Sequence, residues 1–596
     1  MIHKRVLAIL MLLTNVCLQM PVKAQVPSQS GKSIIRLNQI GFYPKAGKIA
    51  VITAQQTGNF HIKTLNGKTV FTGELKTSNQ PAFSGNYTAI ANFSAFSLPG
   101  KYVVNLPGRG DSYPFEIKPN ALKSVADGTI KAFYYQRASI PLEEKYADKW
   151  HRQAGHPDDK VLIHPSAATE KRPEGTMISS PRGWYDAGDY NKYIVNSGIS
   201  TATLLSLYED FPAYMKTVKL NIPESTNRLP DVLDEVLWNL RWMLTMQDPN
   251  DGGVYHKLTN PRFDKMVMPD KADSARYVVQ KSTAAALDFA AVMAQASRIF
   301  KKFPQALPGL ADSCIKASEY AWQWAAKNPA ALYNQDAMNR QFKPSVVTGT
   351  YGDGMVSDEF FWAAAELYSA TGKVEYFSRL SFTANDRVQV PTWSNVKVMG
   401  YYALTRNMGA DIGSHPELSQ TKERLLNFAD TYIAGADSNA YQTVMTKSKI
   451  KFNWGSNSNA ANQGILLIKA YKLTNNRKYL QYALANLDYI LGRNGTGYCY
   501  VTGFGSKPVM HPHHRPSVAD GVEDPIPGLL SGGPNPGMQD GVQVPSLFPD
   551  EAFIDSDKSY ATNEIAINWN SPMAYLANAL QALQKNLFNT QTKNHN

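Results

Sequence analysis

The stretch Trp184-Tyr185-Asp186-Ala187-Gly188-Asp189-Tyr190 sets two carboxylates three residues apart, among aromatic rings and around a glycine. In a turn that lines a cleft, such a pair can hold one water from two sides. The flanking rings offer flat faces on which a sugar stacks. Taken alone, an Asp pair in a loop more often caps a turn, because Asp side chains satisfy nearby backbone N–H groups. What gives it weight is a second stretch far along the chain. There, Tyr560-Ala561-Thr562-Asn563-Glu564 places a lone glutamate just before the apolar run Ile565-Ala566-Ile567.

On both sides of the first stretch the pattern is helical. From Leu122 onward, residues 200–208, 231–246, 282–300, 358–371, 420–434, 460–471, 476–491 and 571–583 carry apolar residues at three- and four-residue spacing. The connections hold Gly, Pro and aromatics, and several are long, which in a compact domain points to function. Helices joined this way fit a bundle, a solenoid or a closed barrel of helical hairpins. The chain lacks a fixed-period repeat, which argues against the solenoid. Upstream, residues 33 to about 118 read as all-β. Residues 48–52 alternate, Asn66-Gly67 is a hairpin signal between residues 61–64 and 69–72, and Leu98-Pro99-Gly100 turns into Tyr102-Val103-Val104. Short strands at this density predict an immunoglobulin-like sandwich, with room for seven strands.

At 596 residues the chain exceeds one core, so at least two domains are expected. The formal charge of +12 is scattered, with no basic run interleaved with aromatics, which argues against a nucleic-acid partner. His3-Lys4-Arg5, the apolar residues 6–13 and Val22-Lys23-Ala24 before Gln25 read as a signal peptide over residues 1–24. That apolar core is too short for a membrane span, and no later stretch reaches about 18 apolar residues. Val16 before Cys17 is poor for lipoprotein processing, so the expectation is export by a cleaved leader. Cys314 and Cys499 remain; they have neither disulfide-scaffold nor zinc spacing and read as buried small hydrophobes.

A water-activating carboxylate with a distant proton-donating carboxyl is the equipment for cleaving a glycosidic bond with inversion. Four stations in order then carry a resemblance: Asp186-Ala187-Gly188-Asp189, Trp454-Gly455-Ser456-Asn457, Pro512-His513-His514-Arg515 and Asn563-Glu564. Val501-Thr502-Gly503-Phe504-Gly505-Ser506 and Gly532-Gly533-Pro534-Asn535 fit beside the third. The chain resembles glycoside hydrolase family 9, the inverting β-1,4-glucanases, over nearly its whole length after residue 24. The resemblance implies an (α/α)6 barrel over residues 120–588. It also implies that residues 33–118 form the N-terminal immunoglobulin-like domain of one branch of the family.

Carried over position by position, the resemblance makes Asp189 the general base on the attacking water, Asp186 its partner and Glu564 the general acid. His513 and Arg515 match the family's substrate-contacting pair. Trp184, Tyr185, Tyr190, Trp454, Tyr560 and Trp569 are candidate stacking platforms, and Asp555 and Asp557 are loop supports. His511, His513 and His514 lack the spacing of a catalytic zinc site. Catalysis is expected to need no cofactor. Asp353, Asp358 and Glu359, in Gly352-Asp353-Gly354-Met355-Val356-Ser357-Asp358-Glu359, stand where relatives hold structural calcium, which takes hard oxygen ligands. A helix N-terminus enriched in acids is the competing reading. Trp393-Ser394-Asn395, where relatives supply a further carboxylate, offers only neutral oxygens.

The implied substrate is a β-glucan: cellulose-like, mixed-linkage or xyloglucan, attacked within the chain. An exo-acting glucosidase or glucosaminidase uses the same parts. Residues 142–182 are the expected wall of one end of the cleft, and Glu143, Glu144, Asp158 or Asp159 there would suit an amino sugar. A non-catalytic glycan-binding protein is disfavoured, since all three carboxylates are present.

Overall fold

The computed structural model describes residues 33–382, 388–406 and 416–587; the expected leader lies outside them. Nine short strands open the described residues: β1 Ile35–Arg36, β2 Gly41–Phe42, β3 Ile49–Ile52, β4 Asn59–Thr64, β5 Thr69–Thr77, β6 Ala89–Asn92, β7 Gly100–Leu106, β8 Gly110–Asp111 and β9 Phe115–Ile117. Their order is β1-β3-β6-β5-β4-β7-β9-β2, with β8 on β7. β5 pairs with β4 over its first part and with β6 through Leu75–Thr77, so it passes from one layer to the other. The layers close as a sandwich over a core that includes Phe42, Phe60, Phe93 and Phe115. Asn66-Gly67 is the β4–β5 turn, with Gly67 at φ 87°, where a side chain would be strained. The excess over seven strands lies in two-residue segments such as β1, β2 and β8, too short to show alternation.

Eleven helices of ten or more residues follow among the described residues. They are α1 Lys123–Tyr135, α2 Ile194–Asp210, α3 Asp231–Thr245, α4 Thr283–Phe300, α5 Leu310–Lys327, α6 Ser357–Thr371, α7 Lys397–Arg406, α8 Pro416–Ile433, α9 Ser456–Thr474, α10 Arg477–Ile490 and α11 Ile567–Ala582. α4 buries every residue but Arg298, so it must be walled by protein all round. α5 buries only Cys314, Ser318, Ala321 and Ala325, a single stripe at four- and three-residue steps, and so lies outside. The inner ring is α2, α4, α6, α7, α9 and α11, closing back on α2; α8, which buries a single stripe, bridges α7 and α9 from outside, and α1, α3, α5 and α10 are further outer mates. The closed double ring is an (α/α)6 barrel, whose last inner helix, α11, docks against its first. No helix of the described residues is long and apolar enough to cross a membrane.

Polar contacts join the two domains. Gln39 takes the amides of Ser506 and Lys507 on its side-chain oxygen, and its own backbone N–H donates to Leu491 O. Asn38 donates to Asp488 at 2.8 Å. At one end of the barrel a small sheet orders the loops: β10 Val161–Ile163, β11 Met177–Ile178, β12 Lys192–Tyr193, β13 Lys257–Thr259 and β14 Tyr277–Val278, in the order β11-β10-β14-β13-β12. β12 leads directly into α2, so the carboxylate turn before it is tied to the barrel wall.

Candidate active site

The turn holding Asp186 and Asp189 is braced from behind. Trp184 N–H donates to Asn239 of α3, Tyr185 N–H to Gln136 O, and Ala138 N–H to Gly183 O. The Trp184 indole donates to Glu235 at 2.9 Å, and Glu235 is gripped by Arg137 through Nε and Nη2. Both partners of that ion pair are fully buried, and Arg137 also forks onto Glu224. A planar guanidinium held on two carboxylates allows the turn little freedom.

The two aspartates meet different partners. Asp186 is buried; Asn196 donates to its Oδ1 at 2.5 Å and Tyr351 to its Oδ2 at 2.7 Å. Burial and the charge of Asp189 raise the Asp186 carboxyl well above the usual range. Asp189 spends Oδ2 on the Asn191 side chain at 2.6 Å, the Asn191 amide and the Tyr193 hydroxyl at 3.2 Å. Its Oδ1 takes no protein donor among the described residues and faces a cleft of about 880 Å3 lined by Asp186, Asp189, His513, Arg515 and Glu564. Asn191, Tyr193, Asn196 and Tyr351 were not singled out in the sequence; Asn191 and Tyr193 stand directly beyond the first station and were the readable ones.

The late stations form a ladder. His513 and Glu564 make a parallel bridge in which His513 N–H donates to Asn563 O at 2.9 Å, while Gly532 N–H donates to Glu564 O at 2.8 Å. The second station joins through Asn457, whose side chain donates to Ser531 O. The first joins through Gly188, whose carbonyl accepts from the Arg515 amide and, at 2.7 Å, from its guanidinium. Arg515 Nε and Nη2 donate to Asp264 O, so this side chain, which lines the cleft, also fastens the loop after β13. His513 Nδ1 faces Asp557 O, a pure acceptor, so Nδ1 carries the proton and Nε2 is left toward the cleft. Burial together with Asp189 and Asp186 raises the Glu564 carboxyl well above its usual range. Asp555 accepts from the amides of Met510 and His511, as a loop support should.

A family model for glycosyl hydrolase family 9 matches residues 123–577, and one for the cellulase N-terminal ig-like domain matches residues 30–111. The chain belongs to glycosyl hydrolase family 9. A xyloglucan-specific endo-β-1,4-glucanase from Bacteroides ovatus is 48% identical over 92% of this chain and 94% of that relative. Endoglucanase D of Acetivibrio thermocellus is 33% identical over 91% of this chain and 82% of its own. Among solved structures, a Bacteroides ovatus family 9 protein superposes with a TM-score of 0.88 at 47% identity, covering 92% of this chain and 99% of that one. A metagenome-derived family 9 endoglucanase gives 0.83 at 31%, covering 92% and 98%. This family 9 chain is thus a glycoside hydrolase of the endo-β-1,4-glucanase type.

Of the expected stacking rings, Trp454, Tyr560 and Trp569 line the family 9 cleft, with Trp454 44% exposed and 5.3 Å from Tyr560. Trp184, Tyr185 and Tyr190 do not, and that expectation is corrected: all three are buried to within 1%. Trp184 packs on Phe133 and Tyr185 on Tyr190, while the Tyr185 hydroxyl meets His156 and the Tyr190 hydroxyl Val267 O. Their faces are spent on the wall behind the carboxylates. Tyr351 and Trp393 line the cleft instead. The wall expected from residues 142–182 is also corrected, since none of them lines the cleft; residues 347–351, 391–393, 453–455 and 458–459 do. Asp158 is locked by Arg276 and Lys192, and Glu143 pairs with Lys145 at the surface.

Asp353, Asp358 and Glu359 gather at the start of α6, and fully buried Asp288 of α4, which the sequence reading missed, joins them. Its signal was a lone acid in the alanine-rich run of residues 283–300. Both carboxylate oxygens of Asp288 and Glu359, and Asp353 Oδ2, have no donor, while Asp358 accepts from the Val396 amide. The donor chemistry fits a hard cation. No three such side chains among the described residues converge as a ligand shell.

Proposed function

We propose that this chain hydrolyses β-1,4-glucan internally and with inversion, with Asp189 and Asp186 activating water and Glu564 protonating the departing oxygen. One observation carries the reading: three carboxyl groups open into a single cleft, one of them Glu564, biased toward its protonated form by burial and its neighbours' charge. Asp189 Oδ1 is free to take a proton from water, and Asp186 fixes the other side of that water. Inversion needs the base and acid about 6.5–9.5 Å apart, so that water fits beneath the sugar. His513 Nε2 and the Trp454–Tyr560 pair would hold the sugars on either side of the cut.

The substrate reading is a branched or plain β-1,4-glucan, with xyloglucan first because the 48% identical relative is named for it. Among the described cleft residues the catalytic trio are the only acids, so no carboxylate is left over to greet an amine. That favours glucan over glucosamine. The test follows product length and anomer on carboxymethylcellulose, mixed-linkage glucan, xyloglucan and chitosan oligosaccharides. Intermediate lengths with α-anomeric ends support the reading; release of monomers alone overturns endo action.

The chain is further proposed to be exported after loss of residues 1–24 and to divide into a 33–118 sandwich and a 120–588 barrel. The acid cluster around Glu359 is proposed to take one structural calcium, through the oxygens left without donors. Chelation should then lower the unfolding midpoint and calcium alone should restore it.

A further inference from the structure

Lys257 lies in β13, directly across from Tyr193 of β12. Its side chain is fully buried, yet among the described residues it makes no ion pair: Nζ donates to Gln335 Oε1 at 2.7 Å, Thr348 Oγ1 at 3.1 Å and Gly349 O at 2.6 Å, all neutral oxygens. The rings of Tyr193 and Tyr333 each flank it at 5.5 Å. An ammonium taken out of water without a counter-charge costs several kcal/mol. The carboxylate whose field reaches it is Asp189. Contacts also link the two: Lys257 donates to Gly349 O, a Cβ on Gly349 would stand 3.1 Å from the Tyr193 hydroxyl, and that hydroxyl donates to Asp189 Oδ2.

We infer that Lys257 is a positioning residue for the general base: it sets a buried positive charge behind Asp189, and its donors fix the 348–351 strap that carries Tyr351 to Asp186. This rests on the proposed role of Asp189. The other groups facing Asp189 divide. Asp186 and Glu564 oppose its charge and Lys257 favours it; burial keeps the His513 imidazole toward its neutral form, and Tyr193 and Asn191 donate to Asp189. Facing Lys257 are Asp189, Tyr193, Tyr333 and its neighbour His256. Burial brings the Lys257 ammonium down to about 7, with Asp189 pulling it back, so it is charged through the acid range.

The experiment is the pH profile of kcat/KM for the full chain and for Lys257→Met and Lys257→Gln, on a soluble glucan oligosaccharide. The acid limb should move up by about one unit in both variants. Thr348→Val, which cuts a strap contact but keeps the charge, should lower kcat and leave the limb in place. A folded Lys257 variant with an unmoved limb overturns the inference. So does failure of both variants to fold, since Lys257 would then serve the fold. Asp189→Ala is assayed alongside with azide. Recovery as the α-glycosyl azide keeps the base assignment standing whatever the Lys257 result, and no recovery removes the base assignment itself.

Discussion

The backbone carbonyl of His513 stands 2.2 Å from where a Cβ on Gly188 would be. The base-bearing turn and the acid-bearing ladder therefore touch backbone to backbone, and only glycine permits it. Gly188→Ala must push the two apart by moving main chain. Because a shift of about 1 Å at a reacting centre can cost ~100-fold, kcat on cello-oligosaccharides should fall by about that factor. Circular dichroism should show the fold retained.

Glu564 links activity to stability through its proton. An unfolded glutamate titrates near 4.3, whereas burial and the two aspartates raise the folded group well above this. Between those values the native state keeps a proton that the unfolded chain has released, so stability falls as pH rises through that window. Glu564→Gln removes this cost. Its denaturant midpoint should exceed that of the parent at pH 8, by on the order of 1 kcal/mol, and match it at pH 4. Hydrolysis should be nearly lost on poor leaving groups and less so on activated ones.

Arg137 and Glu235 should behave as fold residues that look like site residues. Glu235→Ala leaves a buried guanidinium short of a partner and the Trp184 indole without its acceptor. Loss of one member of such a pair costs ~3–5 kcal/mol, to be read from chemical unfolding. A variant as stable as the parent would contradict the bracing assigned to it.

Trp454 and Trp184 offer a contrast of exposed and buried rings. Trp454→Ala removes a half-exposed face from the cleft and should raise KM about 2- to 13-fold, as expected for ~0.5–1.5 kcal/mol of ring contact, with a smaller change in kcat. Trp184→Ala empties a core position and should cost ~3–5 kcal/mol of stability. Equal KM effects would undo the division between platform and wall.

The sequence was most legible where pattern and chemistry coincide. Asn66-Gly67, the alternation of residues 48–52 and the helices near residues 231–246, 282–300 and 476–491 all lie where periodicity put them. Leu310–Lys327 and Lys397–Arg406 were not singled out, and neither was Lys123–Tyr135 as a discrete helix. Asp186, Asp189 and Glu564 reach one cleft as their motif order implied. Which rings face sugar was not legible. Trp184, Tyr185 and Tyr190 neighbour the carboxylates in sequence, but a turn presenting two aspartates forward must send its bulk backward. Tyr351, Trp393 and Asp288 come into place only when distant helices pack, and no local spacing announces that.

α11 is the last inner helix, and it docks beside α2 as the ring shuts. Glu564 sits just ahead of it, and the Asp186–Asp189 turn just ahead of α2. A nascent or refolding chain therefore has no assembled centre until its final hairpin arrives, however much of the rest has collapsed. Recovered hydrolysis after dilution from denaturant times that closing step, while recovered helicity times everything before it.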